Sequence, residues 1–349
     1  MAGASSPEPP EVSASRRTLL RLPADAATAV AAAPPPPPAA AMASKPVHAR
    51  TASSLHADAS HTRKLSTGCA VLDGPLGGGL DSHGITELAG EAGVGKTQLA
   101  LQLVLQSQLP PSLGGLGGGA VLLHADSPSA ASSLARLREL AGAFAAKHAR
   151  LGATQEKLLE NVFVLQIESV EHLWTTLGAR VEELLMNKRV RLLVLDSVAG
   201  LFRTRDDTRD GERPEAAAAA RAQELFQHAA RLKLLSDRYD LAVLVLNQVS
   251  DKPLGAAQAR HAAPWELAAS IGGGDGIRVP ALGLSWGCAV NTRLLLARTY
   301  VARQGEQWAP DDEGGGVARR ELRVAYSPRL PHDGACAFEV RADGVFGCA

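Results

Sequence analysis

Ile85 to Leu105 reads ITELAGEAGVGKTQLALQLVL, an apolar strand that runs into a glycine loop and then into a helical pattern. Within it Gly90, Glu91, Ala92, Gly93, Val94, Gly95, Lys96 and Thr97 fit the phosphate-binding pattern G-x-x-x-x-G-K-[ST] at every fixed position. The glycines let the backbone curl so that successive N–H groups point inward at phosphate oxygens. In that arrangement Lys96 neutralises the terminal phosphates, the Thr97 hydroxyl ligates magnesium, and the helix adds its positive N-terminal end. A glycine-rich turn can match by chance. Here strand, loop, lysine, hydroxyl and helix all agree with the motif's mechanics.

The strands that follow set the fold class. Ala120 to Asp126 is a short apolar run ending in a carboxylate, Asn161 to Ile167 is another strand, and Val190 to Asp196 reads as a strand buried on both faces. Helical spacing resumes at Leu134, Leu137 and Leu140, and again from Val170 to Met186. Strands alternating with helices imply an α/β core: a mostly parallel, twisted sheet with helices on both faces, because parallel neighbours need crossover connections. Leu241 to Leu246 adds a buried strand ending in Asn247 and Gln248, after a helix that presents Leu225, Ala229, Leu232 and Ser236 on one face. Three candidate strands close the chain: Arg293 to Val301, Arg320 to Tyr326 and Ala337 to Val345.

Asp196 closes its apolar strand where a carboxylate can hold the magnesium water shell at the carboxyl edge of the sheet. It could equally cap a following turn. Lys96 and Thr97 upstream favour the magnesium role. Asn247 and Gln248 stand beside the same edge, where polar amides can sense a γ-phosphate or merely end a strand. Phe202 to Glu215 holds Arg203, Arg205, Arg209 and Arg213 against Asp206, Asp207, Asp210 and Glu212, so its formal charge is zero and a solvated loop is its plainer reading. From Ser250 to Pro280 periodicity is lost, as in a functional or mobile segment.

Composition narrows the classes. Of 349 residues, 46% are apolar, enough for a real core, and 36 basic residues balance 36 acidic ones. No global charge draws the chain to nucleic acid or membrane, so any DNA contact must be local or shared with a partner. The four cysteines show no C-x-x-C spacing, which argues against a zinc site and fits a reducing compartment. No run reaches the roughly 18 to 20 apolar residues of a membrane helix. Residues 1–64 hold 10 of the 21 prolines and no Phe, Trp or Tyr, so a disordered tail is expected ahead of a core at 65–349. Ser15 to Arg21 has the basic, hydroxyl-bearing look of an organelle transit peptide, a composition that flexible tails also reach.

Taken together these residues resemble the RecA-type strand-exchange recombinases from about Leu65 to Val345. The lead-in (Leu65 to Gly68, Leu72, Asp73, Gly78 to Leu80), the strand Gly84 to Leu88, and Gln98 directly after the phosphate loop are similar to those of eukaryotic members. Pro280 to Trp286 resembles a paralogue branch that lacks a helical N-terminal domain. The resemblance implies a RecA-like ATPase core with C-terminal β-strands, ATP and Mg2+ as cofactors, and Gln98 at the cofactor site. It further implies Asp126 at the position of the water-orienting carboxylate, Gln248 as γ-phosphate sensor, and Arg203 and Arg209 on the first DNA-facing loop. The stretch after Gln248 falls on the second such loop. Tyr326 to Pro331 is similar to the segment that caps a neighbour's nucleotide, and Ala342 to Val345 to the closing strand.

Departures from the family pattern shape the functional expectation. Recombinases polymerise by lending an F-x-x-A peptide ahead of the core, whereas the first phenylalanine in this sequence is Phe144. Phe226 to Ala229 fits the pattern but lies in a predicted core helix, where packing explains it. Asp126 is one methylene shorter than the family's glutamate. A misplacement of about 1 Å can cost on the order of a hundredfold in rate, so slow hydrolysis at best is expected. Tyr326 replaces the cap's usual aspartate. The expected function is therefore a recombination mediator that binds a partner paralogue and the strand-exchange recombinase on single-stranded or branched DNA in the nucleus. The alternatives are a filament-forming strand-exchange ATPase and a P-loop small-molecule kinase, which would need an arginine-bearing lid.

Overall fold

The phosphate-loop strand is buried at all six positions, Ile85–Gly90, because it lies in the interior of a wide sheet. A computed structural model describes residues 51–56, 63–125, 130–203, 214–253, 276–302, 316–331 and 334–348. Of the expected tail, 1–64, that leaves a one-turn helix, Ala52–His56, and Lys64, which begins the first strand. The compact unit described below is Ser53–Ala349.

Among the described residues β1 (Lys64–Leu65) and β2 (Leu80–Asp81) form a short antiparallel ribbon. The main sheet is built from β3 (Ile85–Gly90), β4 (Gly119–Ala125), β5 (Val162–Ile167), β6 (Val190–Asp196), β7 (Ala242–Pro253), β8 (Gly276–Pro280), β9 (Thr292–Ala302), β10 (Gly316–Tyr326), β11 (Ala335–Arg341) and β12 (Gly344–Gly347). Its order is β12-β11-β10-β9-β3-β7-β6-β4-β5, with β8 paired to β7. From β9 to β5 neighbours are parallel, and β9 to β12 continue as an antiparallel meander. This is the mostly parallel α/β sheet with C-terminal strands that the alternation of elements predicts.

Alternating side chains divide the core in two. Ala120, Leu122, Leu192, Val194, Leu244 and Leu246 pack under the helices Lys96–Gln106 and Ala130–Lys147. Val121, Leu123, Leu193, Leu195, Val243 and Val245 pack on the other face, under the helices from Val170 to Asn187 and Pro214–Tyr239. Each fully buried leucine here contributes about 1.5–3 kcal/mol of transfer free energy. Leu225, Ala229, Leu232 and Ser236 are all buried, as their spacing predicts.

Several local expectations change. The run Ala337 to Val345 is a hairpin of two strands, because Arg341 pairs with Gly344 across a two-residue turn. Both ends of the aperiodic stretch are sheet: Ser250–Pro253 extends β7 and pairs antiparallel with Gly276–Val279 of β8, because the backbone hydrogen bonds that pair strands do not depend on side-chain periodicity. Residues 254–275 lie outside the described residues. Leu134 is exposed, and the buried stripe of its helix is Ser133, Leu137, Leu140 and Ala141. The helix from Val170 carries a π-helical turn at Leu177–Val181. Phe226 is 46% exposed, so core packing does not account for it, whereas His228 and Ala229 of the same F-x-x-A match are buried.

Candidate nucleotide site

Sheet register brings the site together. Gly90 at the end of β3 lies opposite Gln248 of β7 and Leu296 of β9, and His124 of β4 lies opposite Asp196 of β6. The carboxyl ends of β3, β4 and β6 thus lie at one edge of the sheet, with β7 and β9 running past it on either side of β3. A Cβ on Gly90 would sit 2.4 Å from the Leu296 carbonyl oxygen, so only glycine lets β9 approach this closely. Gly95, the N-cap of the following helix, has φ 114°, a left-handed conformation that a side chain would strain.

Lys96 is buried, and its ammonium donates to the carbonyls of Gly90 at 2.8 Å and Glu91 at 2.7 Å. The loop therefore curls around the lysine head. Burial pulls the Lys96 pKa down from 10.5 to about 8, against the opposing pull of the Asp196 and Glu91 carboxylates. Thr97 donates its hydroxyl to Asp196 Oδ2 at 2.8 Å, across 99 residues of sequence. The Asp196 carboxylate is thus turned toward the phosphate-loop helix. A hydroxyl and a carboxylate side by side beside a buried ammonium are an oxygen donor set that fits magnesium on a polyphosphate.

Surrounding residues hold the loop. Gln98 accepts from Arg136 Nε at 2.8 Å, and the same guanidinium donates to the carbonyls of Arg341 and Ala342 in the last hairpin turn. Gln98 is thereby turned toward the helix Ala130–Lys147, away from the loop mouth. Arg298 of β9 donates from Nη2 to the Gly93 carbonyl at the loop apex, 2.7 Å away. Replacing Arg298 by Ala is expected to weaken nucleotide binding about three- to tenfold, the effect of one solvent-exposed hydrogen bond that preorganises the loop. Titration of a fluorescent ATP analogue measures it, and an unchanged affinity would remove Arg298 from the site.

Asn247 and Gln248 separate. Asn247 is fully buried and donates to Glu87 Oε1 at 2.7 Å, so it serves the interior of the sheet and not a phosphate. Gln248, half-buried beside Gly90, is the amide left at the edge. Glu87 itself escapes a reading by motif. It also accepts from Trp286 Nε1 at 3.1 Å and forms an ion pair with Arg293, whose guanidinium stacks on the Tyr326 ring. Tyr326 in turn donates to the Gly287 carbonyl at 2.6 Å, and burial pushes its pKa up to about 12. A carboxylate in the middle of an apolar strand is the signal that could have marked this cluster. Asp126 and Arg209 lie outside the described residues, and Arg203 is the last residue of the helix Val198–Arg203.

Comparison with known proteins places these features in a family context. A family model described as Rad51 matches residues 59–274. Over 292 residues the chain is 33% identical to the DNA repair protein XRCC3 homolog of Arabidopsis thaliana, covering 81% of this chain and 92% of that protein. It is 37% identical over 292 residues to the DNA repair protein XRCC3 of Bos taurus, covering 82% and 75% respectively. Similarity extends to the DNA repair and recombination protein RadA of Metallosphaera sedula, 31% identical over 204 residues and 58% of each chain. No helix among the described residues is long and apolar enough to cross a membrane.

Proposed function

The chain belongs to the Rad51 family as an XRCC3-like, RecA-type recombinase paralogue, and from that premise we propose that it binds Mg-ATP and serves homologous recombination as a mediator. In this reading it pairs with another paralogue and assists assembly of the strand-exchange recombinase on single-stranded or branched DNA in the nucleus. The observation that carries the nucleotide part is the bond from Thr97 to Asp196 at 2.8 Å beside the seated Lys96. Gly90 to Thr97 line the phosphates, Thr97 and Asp196 hold the cation, Gln98 is held off the phosphates by Arg136, and Gln248 senses the γ-phosphate. Asp126 orients the attacking water, and Arg203 and Arg209 touch DNA phosphates. Magnesium supplies charge neutralisation at the β- and γ-phosphates.

Dependence on a partner is favoured by the same chain. No phenylalanine precedes Phe144, and the F-x-x-A match at Phe226 has Ala229 buried in the helix Pro214–Tyr239, where it cannot be lent without unfolding that helix. Tyr326 is committed to Gly287 and Arg293 of its own chain. Size-exclusion chromatography with Mg-ATP tests this part: a mediator elutes as a monomer or a defined complex with the co-expressed paralogue, and elution in the void volume supports the filament-forming alternative. Transfer of the γ-phosphate to small acceptors would support the kinase.

Proton linkage supplies a further check. Lys96 titrates near 8 in the free protein and is held protonated by bound phosphates, so above about pH 8 nucleotide binding takes up a proton. Affinity therefore falls as pH rises above about 8, and no uptake occurs near pH 7. In the free protein the sign is opposite for stability: burying the charge costs most below pH 8, and the cost is relieved as pH rises toward 10.5. Calorimetry at pH 8.5 in two buffers of different ionisation enthalpy reads the uptake. Equal heats in both buffers would remove Lys96 from the phosphate site.

A further inference from the structure

The C-terminal meander passes beneath the phosphate loop, and its side chains form rows that run across the strands. Leu296, Leu322 and Cys336 are direct partners on β9, β10 and β11, and the next row on that face is Arg298, Arg320 and Phe338. Direct partners in antiparallel strands share a face, here the one that carries Leu296, Leu322 and Phe338 into the core with the helix Lys96–Gln106. Both ends of the second row meet the loop. Arg298 Nη2 donates to the Gly93 carbonyl, and a Cβ on Gly95 would sit 3.4 Å from the Phe338 ring. Arg320 stands between these two, in the middle of the row.

Like charges directly opposed on neighbouring strands are destabilising. Three other arginines of the meander each pair with a glutamate: Arg293 with Glu87, Arg323 with Glu321 and Arg341 with Glu339. Among the described residues neither Arg298 nor Arg320 has a carboxylate partner, and the Nε of each is buried without an acceptor. Two positive charges therefore stand uncompensated beside a loop suited to anions. Native folds seldom keep such an arrangement except where it serves a site.

We infer that Arg320, paired with Arg298, is a positioning residue of the nucleotide site: their joint positive charge under the loop draws in the phosphate chain and favours the triphosphate over the diphosphate. The inference rests on the nucleotide reading above. It needs no direct contact between Arg320 and phosphate. Over a separation of about 10 Å, at an effective dielectric constant of about 20, one unit charge alters the affinity for another on the order of tenfold, and salt reduces this to a few-fold. Mg-bound ATP carries one more negative charge than Mg-bound ADP, so removing Arg320 costs ATP more.

The test uses the full chain, a non-hydrolysable ATP analogue and ADP, each titrated with Mg2+ at several salt concentrations. Arg320→Gln is expected to weaken analogue binding roughly tenfold and ADP binding roughly threefold, and to flatten the dependence of affinity on salt. Arg320→Lys, which keeps the charge, retains most of the affinity and the salt dependence. Without nucleotide, thermal unfolding finds Arg320→Gln no less stable than the wild-type chain, because the like-charge pair is relieved. A merely structural role would lower stability and weaken both nucleotides alike. Equal losses for analogue and ADP, an unchanged affinity in Arg320→Gln, or a loss that Arg320→Lys does not rescue overturns the inference and leaves the nucleotide reading standing. Failure of the wild-type chain to bind the analogue overturns both. Should Arg320→Gln fail to fold, Arg320→Met, which keeps the apolar stem, carries the same comparison.

Discussion

Replacing Lys96 by Ala is expected to abolish measurable ATP binding while leaving the free protein folded and at least as stable. Two opposite effects are expected from one atom group. Toward phosphate, the ammonium is a buried charge partner, and truncating such a partner costs about 2–5 kcal/mol, roughly thirty- to several-thousand-fold in affinity. Toward the free fold, the same charge is a burden, since desolvation pulls its pKa to about 8. Removing it frees the Gly90 and Glu91 carbonyls that it now satisfies, a loss of about 1 kcal/mol per hydrogen bond that offsets part of the gain. Lys96→Arg should bind nearly as poorly, because a planar guanidinium cannot enter a seat formed around a compact ammonium. Analogue titration and thermal unfolding of the same samples separate the two effects. If binding survives Lys96→Ala, the loop is a structural relic and function rests on protein contacts. Asp126→Glu is a companion test, expected to speed slow hydrolysis if Asp126 orients water.

Glu87→Ala is expected to cost about 3–5 kcal/mol of folding stability, a large share of the 5–15 kcal/mol typical of a native domain. Glu87 is fully buried, and its partner Arg293 is 6% exposed on its side chain, so the substitution strands a guanidinium in the core. It also removes the acceptor of Asn247 Nδ2 and Trp286 Nε1, leaving two buried donors unpaired. Glu87→Gln keeps the shape and an acceptor but not the charge, so an intermediate loss is expected. The double change Glu87→Leu with Arg293→Met should recover much of the stability, because removing both charges removes both desolvation penalties. Urea denaturation resolves the series. A loss below about 1 kcal/mol in Glu87→Ala would mean that water reaches the pair in solution.

The nucleotide loop was legible because its requirements are local: glycines, a lysine, a hydroxyl and a helix start fall within a dozen residues, and neighbours in sequence remain neighbours in space. Asp196 was legible as the end of an apolar strand, but only the fold shows its carboxylate meeting Thr97. Asn247 and Gln248 part company for a related reason. Successive residues of a strand point to opposite faces, and which face meets the phosphate depends on the strands alongside. Arg298 and Arg136 gave no signal, since each acts from more than thirty-five residues away on a loop or side chain that only folding brings close. The third C-terminal strand became a hairpin because a two-residue turn needs little sequence to mark it.

By itself the sequence determined the α/β class, the phosphate loop, the order of strands and helices, and the resemblance to RecA-type recombinases. Each follows from periodicity or from residues close together in the chain. Only the tertiary structure decided which strands are neighbours, and with that which side chains meet: Thr97 with Asp196, and Glu87 with Asn247, Trp286 and Arg293. Lateral strand order is set by burial of whole faces and by crossover geometry, which sum over the entire sheet and leave no trace in any one stretch of sequence.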